Sequence, residues 1–230
     1  MGVLLMRLQG PMQSYGTHSN FKIRDTGLDP SKSAVIGMIC SAMGIFKDKP
    51  TGDLPLVDEL AQLKMAVRIN DPGVVRTDYH TVQNILKVGK PGTKTAVTER
   101  QYLYDADFLV ALEGDYQLLS KIQEALKNPV WFVSLGRKSC VPATPIWLPD
   151  GLKKEDNCLE TLGYYPWFKM SKQKKIPESL IVVFEDSDGE TRKDVPISFE
   201  KRIFGLRHVQ HRNIKLKPSM IRNDLCLSLN

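Results

Sequence analysis

Two short segments of this chain group the side chains that hold anions. The stretch SLGRKSC, residues 134–140, sets Gly136, Arg137, Lys138 and Ser139 in succession. A glycine permits close backbone approach, two cations supply charge and a hydroxyl adds a hydrogen bond, the makeup of an anion-holding loop. It is not a nucleotide-binding phosphate loop. That motif needs further glycines and a helix directly after it, whereas Pro142 and Pro145 follow here and oppose a helix. The second segment is Pro30-Ser31-Lys32-Ser33, at the start of an apolar helical stretch. Free amides at a helix N-terminus, two hydroxyls and a lysine suit a phosphate, although simple helix capping by Ser31 is the favoured reading of this segment taken alone. Ahead of it, Gln13, Tyr15, His18, Lys22 and Arg24 share one polar loop, 11–30. A tyrosine or histidine base beside a lysine can cleave RNA through its 2′-hydroxyl without metal. Nearness along the chain does not establish that geometry.

Two more regions are cationic. Residues 72–101 are rich in Gly, Thr and Lys, with GKPGTKT as a flexible tip, and read as a protruding arm. Lys87, Lys90, Lys94 and Arg100 alternate there with Tyr79, His80 and Tyr102 near the roots. Cations among aromatics fit a single strand, which offers both phosphates and unpaired bases; a solvated loop explains the lysines but not the rings. Residues 201–222 carry Lys201, Arg202, Arg207, Arg212, Lys215, Lys217 and Arg222 with no acid among them. Uncompensated charge of this density favours phosphate binding over a solvated face. His208 and His211 in the same stretch have no further metal-ligand residues clustered near them, so no metal and no cofactor is expected.

The elements that must position these groups follow from periodicity. VLLMRLQ (3–9) reads as a buried strand, and the near-continuous apolar run from Ser33 to Ile45, with small residues Ala34, Gly37, Ser41, Ala42 and Gly44, as a helix packed closely on a sheet. LKMAVRIN (63–70) and ADFLVALEG (106–114) read as strands. Residues 115–128 place apolar side chains at 118, 119, 122, 125 and 126 on one face of a helix that Pro129 stops. PVWFVSL (129–135) reads as a fourth strand. Strand, helix, strand, arm, strand, helix, strand is the split βαβ, ferredoxin-like pattern of the α+β class. On this reading residues 1–150 form a ferredoxin-like (RRM-like) palm, with the arm as a β-hairpin thumb inserted at about 72–103. Residues 151–230 form a small β-rich C-terminal appendage with a strand at 180–184, a DSDG turn and further short strands.

At 42% hydrophobic and 25% charged, 230 residues suffice for one large domain or two small ones. The net charge of +6 suits a polyanion partner without proving one. Cys40, Cys140, Cys158 and Cys226 form no CxxC pair and read as reduced thiols of a cytoplasmic protein. No apolar stretch approaches the length of a membrane span, and the start MGVLLMRLQGP is too short for a signal peptide.

One ordered set of motifs carries a family resemblance: LxGPMQSYG (8–16), RDTGLDPSKSAVIGMICSAMGI (24–45), DYHTV (78–82), RQYLYDADFLVAL (100–112) and SLGRKSCVPATPI (134–146). Together they closely resemble the CasD family of the type I-E CRISPR surveillance complex, Cascade, within the RAMP superfamily of CRISPR-associated proteins. The match runs through about the first 145 residues; the final third resembles the family only in size and basic ending. The resemblance implies a non-catalytic RNA-binding subunit in antiviral defence that grips and caps the 5′ handle of the crRNA. Its implied neighbours are a backbone subunit of the CasC type and a large subunit of the CasA type; target DNA is met only indirectly, and no membrane is involved. It implies that Gln13, Tyr15, Arg24, Ser31, Lys32, Ser33, Tyr79, His80, Lys94, Arg100, Tyr102, Gly136, Arg137, Lys138 and Ser139 face the RNA. Lysine stands at 32 and 138 where relatives commonly carry arginine, which keeps the charge but loses the bidentate fork. The alternative is a metal-independent endoribonuclease that processes CRISPR repeat RNA, the role of relatives in another CRISPR subtype.

Overall fold

The computed structural model describes residues 1–17, 22–46, 52, 54–169 and 175–223. His18 and Cys226 lie outside them. The elements in chain order are β1 (Gly2–Gln9), β2 (Met12–Gln13), β3 (Ile23–Arg24), α1 (Lys32–Met43), α2 (Val57–Ala61), β4 (Lys64–Asp71), β5 (Val74–Leu86), β6 (Thr93–Tyr104), β7 (Asp107–Gly114) and α3 (Tyr116–Lys127). They continue with β8 (Trp147–Lys154), α4 (Cys158–Tyr164), β9 (Trp167–Lys169), β10 (Ser179–Ser198), β11 (Ile203–Lys215), a short 3₁₀ turn (Pro218–Met220) and β12 (Ile221–Asn223).

A six-stranded sheet runs β11-β10-β4-β7-β1-β8, with every neighbouring pair antiparallel. β1 alternates strictly. Leu4, Met6 and Leu8 pack with α1 and α3 in the larger core, and Val3 and Leu5 pack with Leu162 of α4 on the opposite face. A strand buried on both sides therefore reads as a continuous apolar run, as VLLMRLQ does. Helix α3 lays down Leu119, Ile122 and Leu126 as its buried stripe and is capped by Asp115, whose carboxylate accepts the Leu118 amide at 2.9 Å.

Three sequence expectations are corrected. Residues 129–135 form no strand. The amides of Val130 and Trp131 donate to the carbonyls of Ala42 and Ser41, at 2.9 and 3.1 Å. The apolar run satisfies the orphan carbonyls at the end of α1 instead of extending the sheet. Its place beside β1 is taken by WLPDGLKK, whose proline and Asp-Gly pair hid it; an edge strand tolerates both. Second, DSDG is not a chain reversal. Glu185 and Glu190 both register against Val209, so the four residues between them bulge out of one long strand. Third, β10 and β11 are long, not short, and β10 pairs with β4 and so extends the main sheet.

The sheet is joined to its later segments by buried polar groups. Arg68, fully buried, donates to the carbonyls of Leu162, Tyr165 and Pro166 and to Asn70 Oδ1, all within 2.6–2.8 Å. It thereby closes the C-terminal end of α4. Burial lowers its pKa to about 10, against the opposing charge of Asp107, so it stays charged at neutral pH.

Candidate nucleic-acid interface

Asp194 organises the N-terminus of α1. Ser31 caps the helix in the ordinary way, its Oγ accepting the Ala34 amide at 3.3 Å. The Lys32 amide, however, donates to Asp194 Oδ2 at 2.8 Å, and Lys32 Nζ pairs with Glu185 at 2.9 Å. Arg207 then grips Asp194 through Nε and a terminal nitrogen at 2.7 and 2.8 Å and reaches Glu185 at 3.4 Å. Burial alone would raise the Asp194 carboxyl; the hydrogen bonds and charge of Arg207, with the Lys32 amide and Arg192, outweigh it and hold the group below the usual carboxylate value. The helix start proposed as a phosphate site thus already holds an anion, the protein's own carboxylate, and Lys32 is 3% exposed. Arg207, counted among the uncompensated cations, is compensated here.

The loop 134–140 is a tight turn, as expected, with an unexpected cause for its glycine. Gly136 has φ +93°, and a Cβ built there would overlap the carbonyl of Ser14. The close approach that only glycine allows is thus made by the 11–16 segment, held by Ser14 N–H to the Leu135 carbonyl at 3.1 Å. Arg137 is committed as well. Its terminal nitrogens donate to the carbonyls of Gln101, Arg24 and Asp25 at 3.0–3.2 Å, and its guanidinium stacks on Tyr102 at 4.7 Å. One arginine therefore ties the loop to β3 and to the root of the β5–β6 hairpin. Lys138 and Ser139 remain exposed.

Gln13 and Tyr15 are interior groups. Tyr15 donates its hydroxyl to Gln13 Oε1 at 2.6 Å, while the Gln13 amide donates to the carbonyls of Ala106 and Leu8. Burial pushes the Tyr15 phenol well above its ordinary pKa, with Cys140 adding to the rise. A neutral, donating phenol is a poor general base.

A cleft of about 510 Å³ opens between one face of α1, loop 134–138 and the β10–β11 turn. Ser33, Gly37 and Ser41, four residues apart, present one small-residue helical stripe to it. These small residues face the cleft, not the sheet. Ser14, Ser31, Ser134, Gly136, Arg137 and Lys138 line it too, together with Phe132, Phe199 and Phe204. Phe132 is 65% exposed, and Phe199 and Phe204 meet edge to face at 6.4 Å. Of the residues named from sequence, the fold gathers Tyr15, Ser31, Ser33, Gly136, Arg137 and Lys138 here, with Arg24 and Tyr102 joined through Arg137. The three phenylalanines were not foreseen; the 33-37-41 spacing was the available signal for the helix stripe.

Tyr79, His80, Lys94 and Arg100 lie along the β5–β6 hairpin. Tyr79 is 67% exposed, Lys94 is exposed near the tip, and Arg100 stands opposite Asp78. His80 Nδ1 and Arg100 Nε, on diagonal positions of one hairpin face, are buried atoms without a hydrogen-bond partner. Buried polar atoms of this kind normally find partners.

Comparison with known proteins decides the family. A family model described as "CRISPR-associated protein (Cas_Cas5)" matches residues 3–210. The chain belongs to this CRISPR-associated Cas5 family. The match extends well past the first 145 residues on which the sequence motifs rested. Among relatives of the Cas5 chain, the "CRISPR system Cascade subunit CasD" of Escherichia coli (strain K12) is 34% identical over 158 residues, 63% of this chain and 69% of the relative. A solved "Crystal structure of Cas protein" is 37% identical with a TM-score of 0.74, covering 93% of this chain and 95% of that one. A chain of a "CRISPR RNA-guided surveillance complex" is 29% identical with a TM-score of 0.78, covering 97% and 94%.

Proposed function

We propose that this Cas5-family chain is the subunit of a cytoplasmic type I-E Cascade surveillance complex that binds and caps the 5′ handle of the crRNA. Its palm is of the ferredoxin-like kind, the β5–β6 hairpin is the thumb, and its neighbours are a CasC-type backbone subunit and a CasA-type large subunit. The observation that carries this reading is the cleft. Hydroxyls, a small-residue helix face, one free lysine, the exposed ring of Phe132 and the half-buried rings of Phe199 and Phe204 together offer a single strand hydrogen bonds, one phosphate contact and stacking surfaces. In the cleft, target DNA is met only through the guide. Support for binding over cleavage comes from Tyr15, whose hydroxyl is buried and given to Gln13.

Lys138→Ala is expected to flatten the slope of log affinity for handle RNA against log salt by about 0.7, the single-strand value for one phosphate contact. Arg137 adds no second contact because carbonyls occupy its fork. Phe132→Ala is expected to weaken handle binding by about 1–3 kcal/mol with the slope retained, as loss of one stacked base requires. Titration at several salt concentrations checks both; if neither variant departs from wild type, the cleft is not the handle site.

The hairpin tip separates assembly from folding. Val88 is fully solvent-exposed and a side chain added at Gly89 or Gly92 would meet nothing, so the tip buries almost nothing. Replacing residues 88–92 by a two-residue turn is expected to leave the melting temperature unchanged and to weaken joining to the backbone subunit and guide. Normal assembly of that variant rejects the thumb assignment.

A further inference from the structure

We infer that the sheet edge around the end of β11 is a second polyanion surface, separate from the cleft, which holds the phosphodiester backbone of duplex nucleic acid. β11 is the outermost strand of the main sheet, and its far side pairs with nothing among the described residues. Once Arg207 is assigned to Asp194 and Glu185, the described cations toward this end include Arg212, Lys215 and Lys217 of the β11 edge and its continuation, and Lys169 on β9. All four are exposed, and none forms an ion pair among the described residues. The local packing aims them outward. Leu216 is buried with Trp167, Leu180 and Met220 in a small core of its own, so the lysines on either side of it face solvent. The Arg212 guanidinium lies over the ring of Phe184, 4.9 Å from its centre. The acid at this end, Glu178, gives its backbone carbonyl to the Leu216 amide, and its exposed side chain pairs with none of the cations.

The kind of polyanion follows from the rings. Sites for single strands interleave cations with open aromatic faces. Of the large aromatic rings beside these cations, Trp167 is fully buried, Phe168 lies under Arg7 and Phe184 under Arg212, so none of the three offers an open face for stacking. Cations without stacking faces or a groove-reading element contact backbone only, which positions a duplex without reading its sequence. Lysines on an edge strand also discourage strand-to-strand aggregation, and the experiment separates that role from binding.

The full chain is titrated with a random-sequence DNA duplex, the same duplex in RNA, and single-stranded handle RNA, each at several salt concentrations. Lys215→Gln with Lys217→Gln is expected to flatten the salt slope for the DNA duplex by about 0.9 per lysine and to leave handle RNA unchanged. The matched control, Lys121→Gln with Lys154→Gln, removes equal charge from exposed positions elsewhere and is expected to change neither. If the control acts like the test pair, net charge explains the binding and the surface is rejected. An equal loss for handle RNA assigns the cations to the guide and overturns the proposal, whereas a loss shared by the two duplexes and absent from handle RNA supports it. Unchanged duplex affinity overturns it too, including the case where the variant fails to join its partner subunits because the edge meets an acidic protein. Thermal melts run alongside, and Lys217→Gln alone replaces the pair if the pair melts early.

Discussion

Asp194→Ala unfolds the chain far more readily than any surface change: the expected loss is about 3–5 kcal/mol, the cost of removing one partner from a buried ion pair. For a chain of this size that is a drop of roughly 6–20 °C in melting temperature. Asp194 is 2% exposed and serves three groups at once: both arms of the Arg207 fork and the first amide of α1. Glu185, which is shared with Lys32, is the remaining counter-charge for Arg207. The substitution therefore releases the β10–β11 hairpin and the start of α1 together, and the cleft between them with it. Its pH signature has a definite sign. A carboxyl held below its unfolded pKa contributes stability that is complete above the unfolded value, about 3.9, and is lost as pH falls through the folded one. Asp194→Asn should thus be less stable at neutral pH and lose less on acidification below about pH 4. Asp107 has the opposite sign: burial raises its carboxyl against the opposing effect of Arg7, so its protonation resists acid unfolding. Acid titration of the melting temperature for wild type and Asp194→Asn checks the prediction, and parallel acid limbs would refute it.

The second large effect is at Gly136. Gly136→Ala places a methyl group on the Ser14 carbonyl at a φ that side chains rarely adopt. Strain of both kinds costs about 3 kcal/mol or more, or roughly 6–12 °C in melting temperature. The loop relieves it by parting from Ser14, which moves Lys138 and the Arg137 fork. The expected result is lower stability and weaker handle binding in the fraction that remains folded, with the salt slope nearly unchanged because no cation is lost. A variant that melts like wild type would show that the turn accepts a side chain, and the packing of loop 134–140 on the 11–16 segment would then be wrong.

The core elements were legible in the sequence because burial alone dictates them: β1, β7 and α1 as near-continuous apolar runs, β4 by alternation and α3 by a one-sided stripe. The PVWFVSL segment misled because an apolar run looks the same whether it pairs in a sheet or caps a helix; what decided was the pair of helix-end carbonyls at Ser41 and Ala42 that accept its amides, which no local pattern announces. β8 was hidden for the converse reason, since an edge strand needs little apolar surface. In the site, residue type was a good guide to chemistry and a poor guide to its recipient. Gly136 does allow close approach, Arg137 does bind oxygens and Lys32 does pair with an anion, yet the partners are Ser14, three backbone carbonyls and Glu185. Such partners lie far away in sequence, and competition between an internal and an external recipient is settled only when the chain has folded.

The most direct test of the handle cleft is photo-crosslinking of handle RNA carrying a photoreactive base to the full chain, with the attached peptides identified by mass spectrometry. Crosslinks at Phe132, at Lys138 and along the β5–β6 hairpin are the predicted result. Crosslinks confined to residues 201–222, with none in the cleft or on the hairpin, would contradict it.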